Sequence, residues 1–238
     1  MIKNKRTHLE INDTLIILSS IFSMIVIAGN IFALKFTTIG PFSTPAGMIC
    51  FPFTYTLGDI ITEIYGYSIA RKVILMGLFN LVLFYIFLKL VIALPPASFW
   101  HLQKEFEAVF GLSSRILLGT IVGYLSGELV NSRILSFLKY ITQGNIFVPR
   151  AVASTIIGVT TDTLFFNIAA FLFIIPFSIL LPFILQQYLL KICFEIVGAF
   201  AAGFIVKKIK KTQKIDIIDP YHFKWIEKYK KNQDGETH

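Results

Sequence analysis

Histidine and cysteine are nearly missing from the parts of this chain where buried chemistry would need them. The four histidines, His8, His101, His222 and His238, all fall outside the long apolar runs. That removes the buried base a Ser-His pair needs and the ligands of an H-E-x-x-H zinc site. The two cysteines, Cys50 and Cys193, sit in apolar surroundings and form no C-x-x-C or other ligand spacing, so neither a disulfide nor a metal site is expected. No P-loop or Rossmann glycine fingerprint is present, so the chain is not expected to hydrolyse ATP itself. These gaps argue against an enzyme, and no cofactor is expected. Nor is a cleavable signal peptide expected: the first apolar run, Leu15 to Leu34, is too long for one and has no small-residue cleavage site after it.

What the chain has instead is oil. Of its 238 residues 55% are hydrophobic, 24 are phenylalanine, and the mean hydropathy is +0.71, beyond the roughly 45–50% apolar content of soluble domains. Several runs reach the roughly 18 apolar residues that let a helix cross a ~30 Å hydrocarbon core. The short alternating segments of a β-barrel are not seen. The expected fold is all-α, a polytopic membrane bundle of six transmembrane helices at about 14–36, 46–66, 72–94, 114–137, 151–175 and 182–206. The second span carries Pro52 and is entered through Gly40, Pro41, Pro45 and Gly47, so a broken or partly re-entrant helix is an alternative there.

The net charge of +8 lies in the ends and loops, which points to lipid surfaces and not to nucleic acid. Lys3, Lys5, Arg6, Arg71, Lys72, Arg133, Lys139, Arg150 and a tail with nine lysines between Lys207 and Lys231 all fall on one side of a six-span chain. The positive-inside rule then places both termini in the cytoplasm. Residues 1–206 form the membrane domain in this reading, and 207–238 a basic tail lying against anionic lipid. Tyr221, Trp225 and Tyr229 would hold that tail at the surface. The loop 95–114 is polar enough to leave the bilayer, with Trp100, Phe106 and Phe110 on a short amphipathic helix acting as an interfacial anchor. A 3+3 division would give two inverted repeats, in which "TYTLGDIITEIYG" and "TIIGVTTDTLFFN" correspond.

Charges inside spans cost roughly 2.5–3.5 kcal/mol each on the insertion scale and commonly mark function. Asp59, Glu63, Glu128, Asp162, Glu195 and Lys191 are the candidates. Asp59 and Glu63 share one helical face with Tyr55 and Tyr67, an arrangement that can grip a flat, hydrogen-bonding ligand. The bland alternatives are local pairs: Glu63 with Arg71 or Lys72, Glu128 with Arg133, and Lys191 with Glu195. Asp162 has no basic residue within a turn of its own helix and needs a partner from elsewhere. It is the first candidate for substrate contact. Gln186, Gln187 and Asn167 add amides, and Gly119, Gly123 and Gly127 open span four to close packing.

At "GDIITEIYGYSIARKVI", 58–74, and "RAVASTIIGVTTDTLFFNIAAF", 150–171, the chain resembles the queuosine precursor transporter family, also called the vitamin uptake transporter family. The residues that carry the resemblance are Asp59, Glu63, Tyr65, Gly66, Ala70 and Arg71, then Arg150, Ser154, Thr155, Asp162, Thr163 and Phe166. The resemblance implies a bacterial inner-membrane importer of 7-cyano- or 7-aminomethyl-7-deazaguanine. It also implies kinship with the six-helix substrate-binding subunits of energy-coupling-factor transporters, which need a partner ATPase. On that basis Asp162 or Asp59 grips the N1–H and N2–H edge and Tyr55 or a nearby Phe stacks. Gln186 or Asn167 addresses the other edges, with Glu63 and Glu195 bordering the cavity. The expected partners are a nucleobase-like small molecule and membrane lipid; a homo-oligomer is left open.

Overall fold

The computed structural model describes residues 13–40, 42–111, 114–173 and 176–219. The expectations for Lys3, Lys5, Arg6, His8, His222, His238 and the tail aromatics Tyr221, Trp225 and Tyr229 lie outside those residues. Along the described chain run α1 (Asp13–Phe32), a hairpin of β1 (Phe36–Ile39) and β2 (Phe42–Pro45), and a 3-10 turn (Ala46–Ile49). Then follow α2 (Phe51–Tyr65), α3 (Tyr67–Ala93), α4 (Gln103–Phe110), α5 (Ser114–Ile141), α6 (Phe147–Phe171) and α7 (Phe177–Gln213).

The second apolar run departs most from expectation. Its glycines and prolines build the antiparallel hairpin, in which Phe36 pairs with Pro45 and Ile39 with Phe42, and the 3-10 turn after it. Pro52 then falls in the first turn of α2, where its missing N–H has no helical partner to lose. The helix beyond it is unbroken, but its 15 residues reach only about 22 Å at 1.5 Å per residue. It ends at Gly66, whose φ of +81° and ψ of 166° belong to a region essentially restricted to glycine. At the other ends, Asp13 lies in the first turn of α1 and Lys210 and Lys211 in the last turn of α7, each complementing the helix dipole. Pro182 lies inside α7, which starts at Phe177, ahead of the span expected from 182. The loop after α3 contains the short helix anticipated there: Trp100 meets Phe106, and Phe106 meets Phe110, at 5.9 and 4.8 Å between ring centroids.

Burial is inverted relative to a soluble domain. Large apolar side chains point outward, with Phe79 60%, Phe87 58%, Val197 70% and Phe204 80% exposed, while acids, amides and cations are buried between helices. Lipid tails are the solvent that suits such a surface. Among the described residues four helices, α1, α3, α6 and α7, are long and apolar enough to cross a membrane, and the protein is a multi-pass helical membrane bundle. An apolar core of Phe22, Ile60, Ile61, Ile64, Ile74 and Leu81 joins α1, α2 and α3. α5 and α6 approach closely because Gly123 and Gly127 face Asp162. A Cβ on Gly127 would lie 2.5 Å from that of Asp162 and 3.0 Å from the Gly158 carbonyl, which bears out the close-packing reading of the glycine repeat. Gln213 donates to the Thr14 hydroxyl, so the start of α1 and the end of α7 meet at one end of the bundle, the terminal end. The hairpin and the 3-10 turn lie toward the opposite end, the hairpin end.

Candidate functional site

A cavity of about 330 Å³ opens toward the hairpin end, within the roughly 300–1,000 Å³ of small-molecule sites. α6 supplies Asp162 and, one turn on, Phe166; α7 supplies Phe183, Gln187 and Lys191 at successive i, i+4 positions; α2 contributes Phe51 and Thr54. The polar groups converge on one wall. Lys191 Nζ stands 2.5 Å from Asp162 Oδ2 and 3.4 Å from the Thr163 hydroxyl, and lies 4.9 Å from the centroid of the Phe51 ring, a cation–π distance. Gln187 is buried, and its amide nitrogen has no hydrogen-bond partner among the described residues. Ala108 and Val109 of α4 also line the cavity, so this helix borders the site as well as carrying an aromatic cluster.

Further into the bundle lies a layer of acids. Asp59 accepts a hydrogen bond from Asn131 Nδ2 at 2.8 Å and one from the Thr155 hydroxyl at 3.5 Å. Glu128 is 1% exposed, and neither of its carboxylate oxygens has a hydrogen-bond partner among the described residues; nearby Thr54 donates instead to the Phe51 carbonyl at 2.7 Å. The Tyr55 hydroxyl is likewise unpartnered there and stands within electrostatic reach of Asp162, Glu128, Glu195 and Asp59. Glu195 is buried on α7. Asn167 donates to the Thr163 carbonyl at 2.7 Å, and its side-chain oxygen has no partner among the described residues.

The terminal end is closed by ions. Glu63 receives two parallel bonds from Arg150, at 2.9 and 3.0 Å, and a third from Lys210 at 2.6 Å, with Lys139 at 4.0 Å. The bidentate geometry with Arg is the strong form of this contact. After α7 the chain turns back across this end. Ile217 N–H bonds the Ile64 carbonyl at 3.0 Å, Lys139 bonds the Glu63 and Ile217 carbonyls, and Asp219 accepts from Ser68. Asp216 bridges Lys139 and Lys210 at 2.5 and 2.9 Å. Burial alone would raise its pKa, but the hydrogen bonds and charges of those two lysines hold it below the usual carboxylate value.

Three pairings expected from sequence are corrected by this geometry. Glu63 is held by Arg150 and Lys210, while Arg71 and Lys72 point outward. Lys191 reaches across to Asp162 instead of along its own helix to Glu195, because an interhelical carboxylate lies nearer than one a turn away. Arg133 is exposed and leaves Glu128 without it. Asp162 does find its partner on another helix, as its isolation required. Of the substrate-contact candidates, Asp162 lines the cavity, whereas Asp59, Tyr55, Asn167 and Glu195 lie behind it and Glu63 lies at the far end; Gln187 faces it in place of Gln186. No site role was expected for Asn131, Ser132, Asp216 and Asp219, and Lys139 and Lys210 were expected only as charges on the cytoplasmic side. A usable signal existed for three of them: Glu128, Asn131, Ser132, Ser136 and Lys139 recur every three to four residues and form one buried face of α5.

Comparison with known proteins agrees with this picture. Residues 45–205 match the model of the family described as "Putative vitamin uptake transporter". A curated relative from Bacillus subtilis (strain 168), described as "Probable queuosine precursor transporter", is 24% identical over 190 residues, covering 78% of this chain and 83% of the relative. No solved structure matches.

Proposed function

This chain belongs to the vitamin uptake transporter family, and we propose that it imports queuosine precursors, 7-deazaguanine bases carrying a cyano or aminomethyl group. The observation that carries this reading is the Asp162–Lys191 pair at the wall of an aromatic-lined cavity. A deazaguanine presents adjacent N1–H and N2–H donors, which one carboxylate accepts side by side. Its 6-oxo group takes the Lys191 ammonium or the unpartnered Gln187 amide. Phe51 and Phe166 offer faces on which the flat ring stacks. Asp162 therefore grips the base, and Lys191 shifts from its carboxylate to the substrate.

In the bacterial inner membrane, with both termini cytoplasmic, the cavity opens outward and the Glu63 cluster closes the inner side. The cations gathered there, Lys139, Arg150 and Lys210, are those the positive-inside rule assigns to the cytoplasm. Asp59, Tyr55 and Glu195, behind the cavity wall, are the groups the base meets as it moves inward, while Asn167 lies toward the outer end of α6. Uptake of labelled 7-cyano-7-deazaguanine into liposomes containing only this protein tests the reading. Asp162→Asn should lose uptake at least tenfold while remaining membrane-inserted, since a charge-assisted bond of about 1.5–3 kcal/mol is removed; unchanged uptake refutes the assignment. Saturable binding without uptake would replace the self-sufficient importer by a subunit needing a partner ATPase, and absence of binding would remove the substrate.

A further inference from the structure

Between the cavity and the inner ion cluster, four acids from four helices share one buried layer: Asp59 on α2, Glu128 on α5, Asp162 on α6 and Glu195 on α7. Among the described residues the cation paired with any of them is Lys191, taken up by Asp162. Asp59 has two donors. Glu128 has none among the described residues, although it is 1% exposed. Its surroundings bring no cation among the described residues: α2 brings Tyr55, Asp59 and the Thr54 hydroxyl, which is within reach but bonded to the Phe51 carbonyl, α6 brings Asp162, α7 brings Glu195, and its own helix brings Tyr124. The Tyr124 hydroxyl is already committed to the Ile74 carbonyl of α3 at 3.2 Å. From α1 the Phe22 ring stands nearby, and the Gly58 backbone packs against the carboxylate itself. A carboxylate anion that the protein gives no donor, buried at low dielectric among other acids, is far higher in free energy than the neutral acid.

We propose that Glu128 is the proton-binding residue of this protein, and that substrate enters together with one proton carried there. The second observation is the Tyr55 hydroxyl, 3% exposed, unpartnered among the described residues and set among the same four acids. Lying in this layer without a bond of its own among the described residues, it would pass a proton between Asp162 in the cavity wall and Glu128 by moving into hydrogen-bond distance of each in turn. The step is a proton transfer alone: the proton leaves the outer water, resides on a Glu128 oxygen while the inner cluster is closed, and is released inward when that cluster opens. This rests on the importer reading for its coupling, but the proton site itself does not.

Infrared spectra of the purified protein at neutral pH test the site without substrate: a protonated carboxyl C=O band should be present, and the difference spectrum of wild type minus Glu128→Gln should show the loss of a Glu128 component from it. Absence of the band from the wild type, or a band of unchanged intensity in the variant, overturns the proposal whatever the substrate proves to be. Coupling is tested in liposomes. One unit of inward pH gradient should give about tenfold accumulation of 7-cyano-7-deazaguanine, because one pH unit carries the free energy of a tenfold concentration ratio. Glu128→Gln should bind the base normally, since Glu128 does not line the cavity, and equilibrate it without accumulation. Gradient-driven accumulation equal to wild type refutes Glu128 as carrier, and accumulation driven by sodium in place of protons refutes the ion. Failure of the wild type to bind the base, with the infrared band present, refutes the importer reading alone.

Discussion

Replacing Glu63 by Gln removes one charge and leaves the shape almost unchanged, yet the structure predicts a large loss of stability. Glu63 is fully buried against Arg150, itself 2% exposed. Lys139 and Lys210 keep Asp216 as an anionic partner when Glu63 is neutralised, but Arg150 keeps no anionic partner among the described residues and is left with neutral contacts, the carbonyls of Gly144 and Asn145 and the Phe147 ring. The cost therefore concentrates on one stranded guanidinium. Breaking a buried pair from one side costs about 3–5 kcal/mol, or roughly two to four decades in the folding equilibrium. Reversible unfolding in mixed micelles, followed by circular dichroism, would read it. The double variant Glu63→Gln with Arg150→Gln supplies the control: removing both charges should be much less damaging than the sum of the single changes, since contacting residues couple by about 0.5–3 kcal/mol. A Glu63→Gln loss below about 1 kcal/mol, typical of exposed pairs, or additive single and double effects, would refute the reasoning.

Two further outcomes follow from the same end of the bundle. Gly66→Ala should destabilise by about 1–3 kcal/mol, because the backbone there has φ +81° and an added Cβ would stand 3.2 Å from that of Asp219; a neutral effect in chemical denaturation would contradict the conformation. Asp216 has a lowered folded pKa, so its contribution is fully present above the ordinary carboxylate value of about 3.9 and is lost as pH falls through the lower folded one. Asp216→Asn should therefore be less stable than wild type at neutral pH, with the gap closing in strong acid; a gap that widens there would reverse the sign.

Reading from sequence worked where the cause is local or compositional. Periodic apolar runs separated by charged loops depend on helix geometry and on the width of the hydrocarbon, so the helical membrane character and the placing of most helices were legible. So was the demand that Asp162 find a partner off its own helix, since a charge at that depth cannot stand alone. The hairpin at 36–45 was not legible, because its glycines and prolines also suit a broken helix and only the pairing of Phe36 with Pro45 distinguishes them.

The sequence by itself determined that this protein lives in lipid, that its helices carry acids inward, and that its two motif blocks belong to a transporter family. Which acid meets which cation was decided only by the tertiary structure. Arg150 and Glu63 are 87 residues apart, and Lys210 and Glu63 are 147 apart. A nearby Arg71 or Lys72 is the better guess until helix rotation is known. Rotation is set by where each helix buries its small and polar residues against its neighbours. That is a property of the packed bundle, and it separates the cavity acid Asp162 from the unpaired Glu128 behind it.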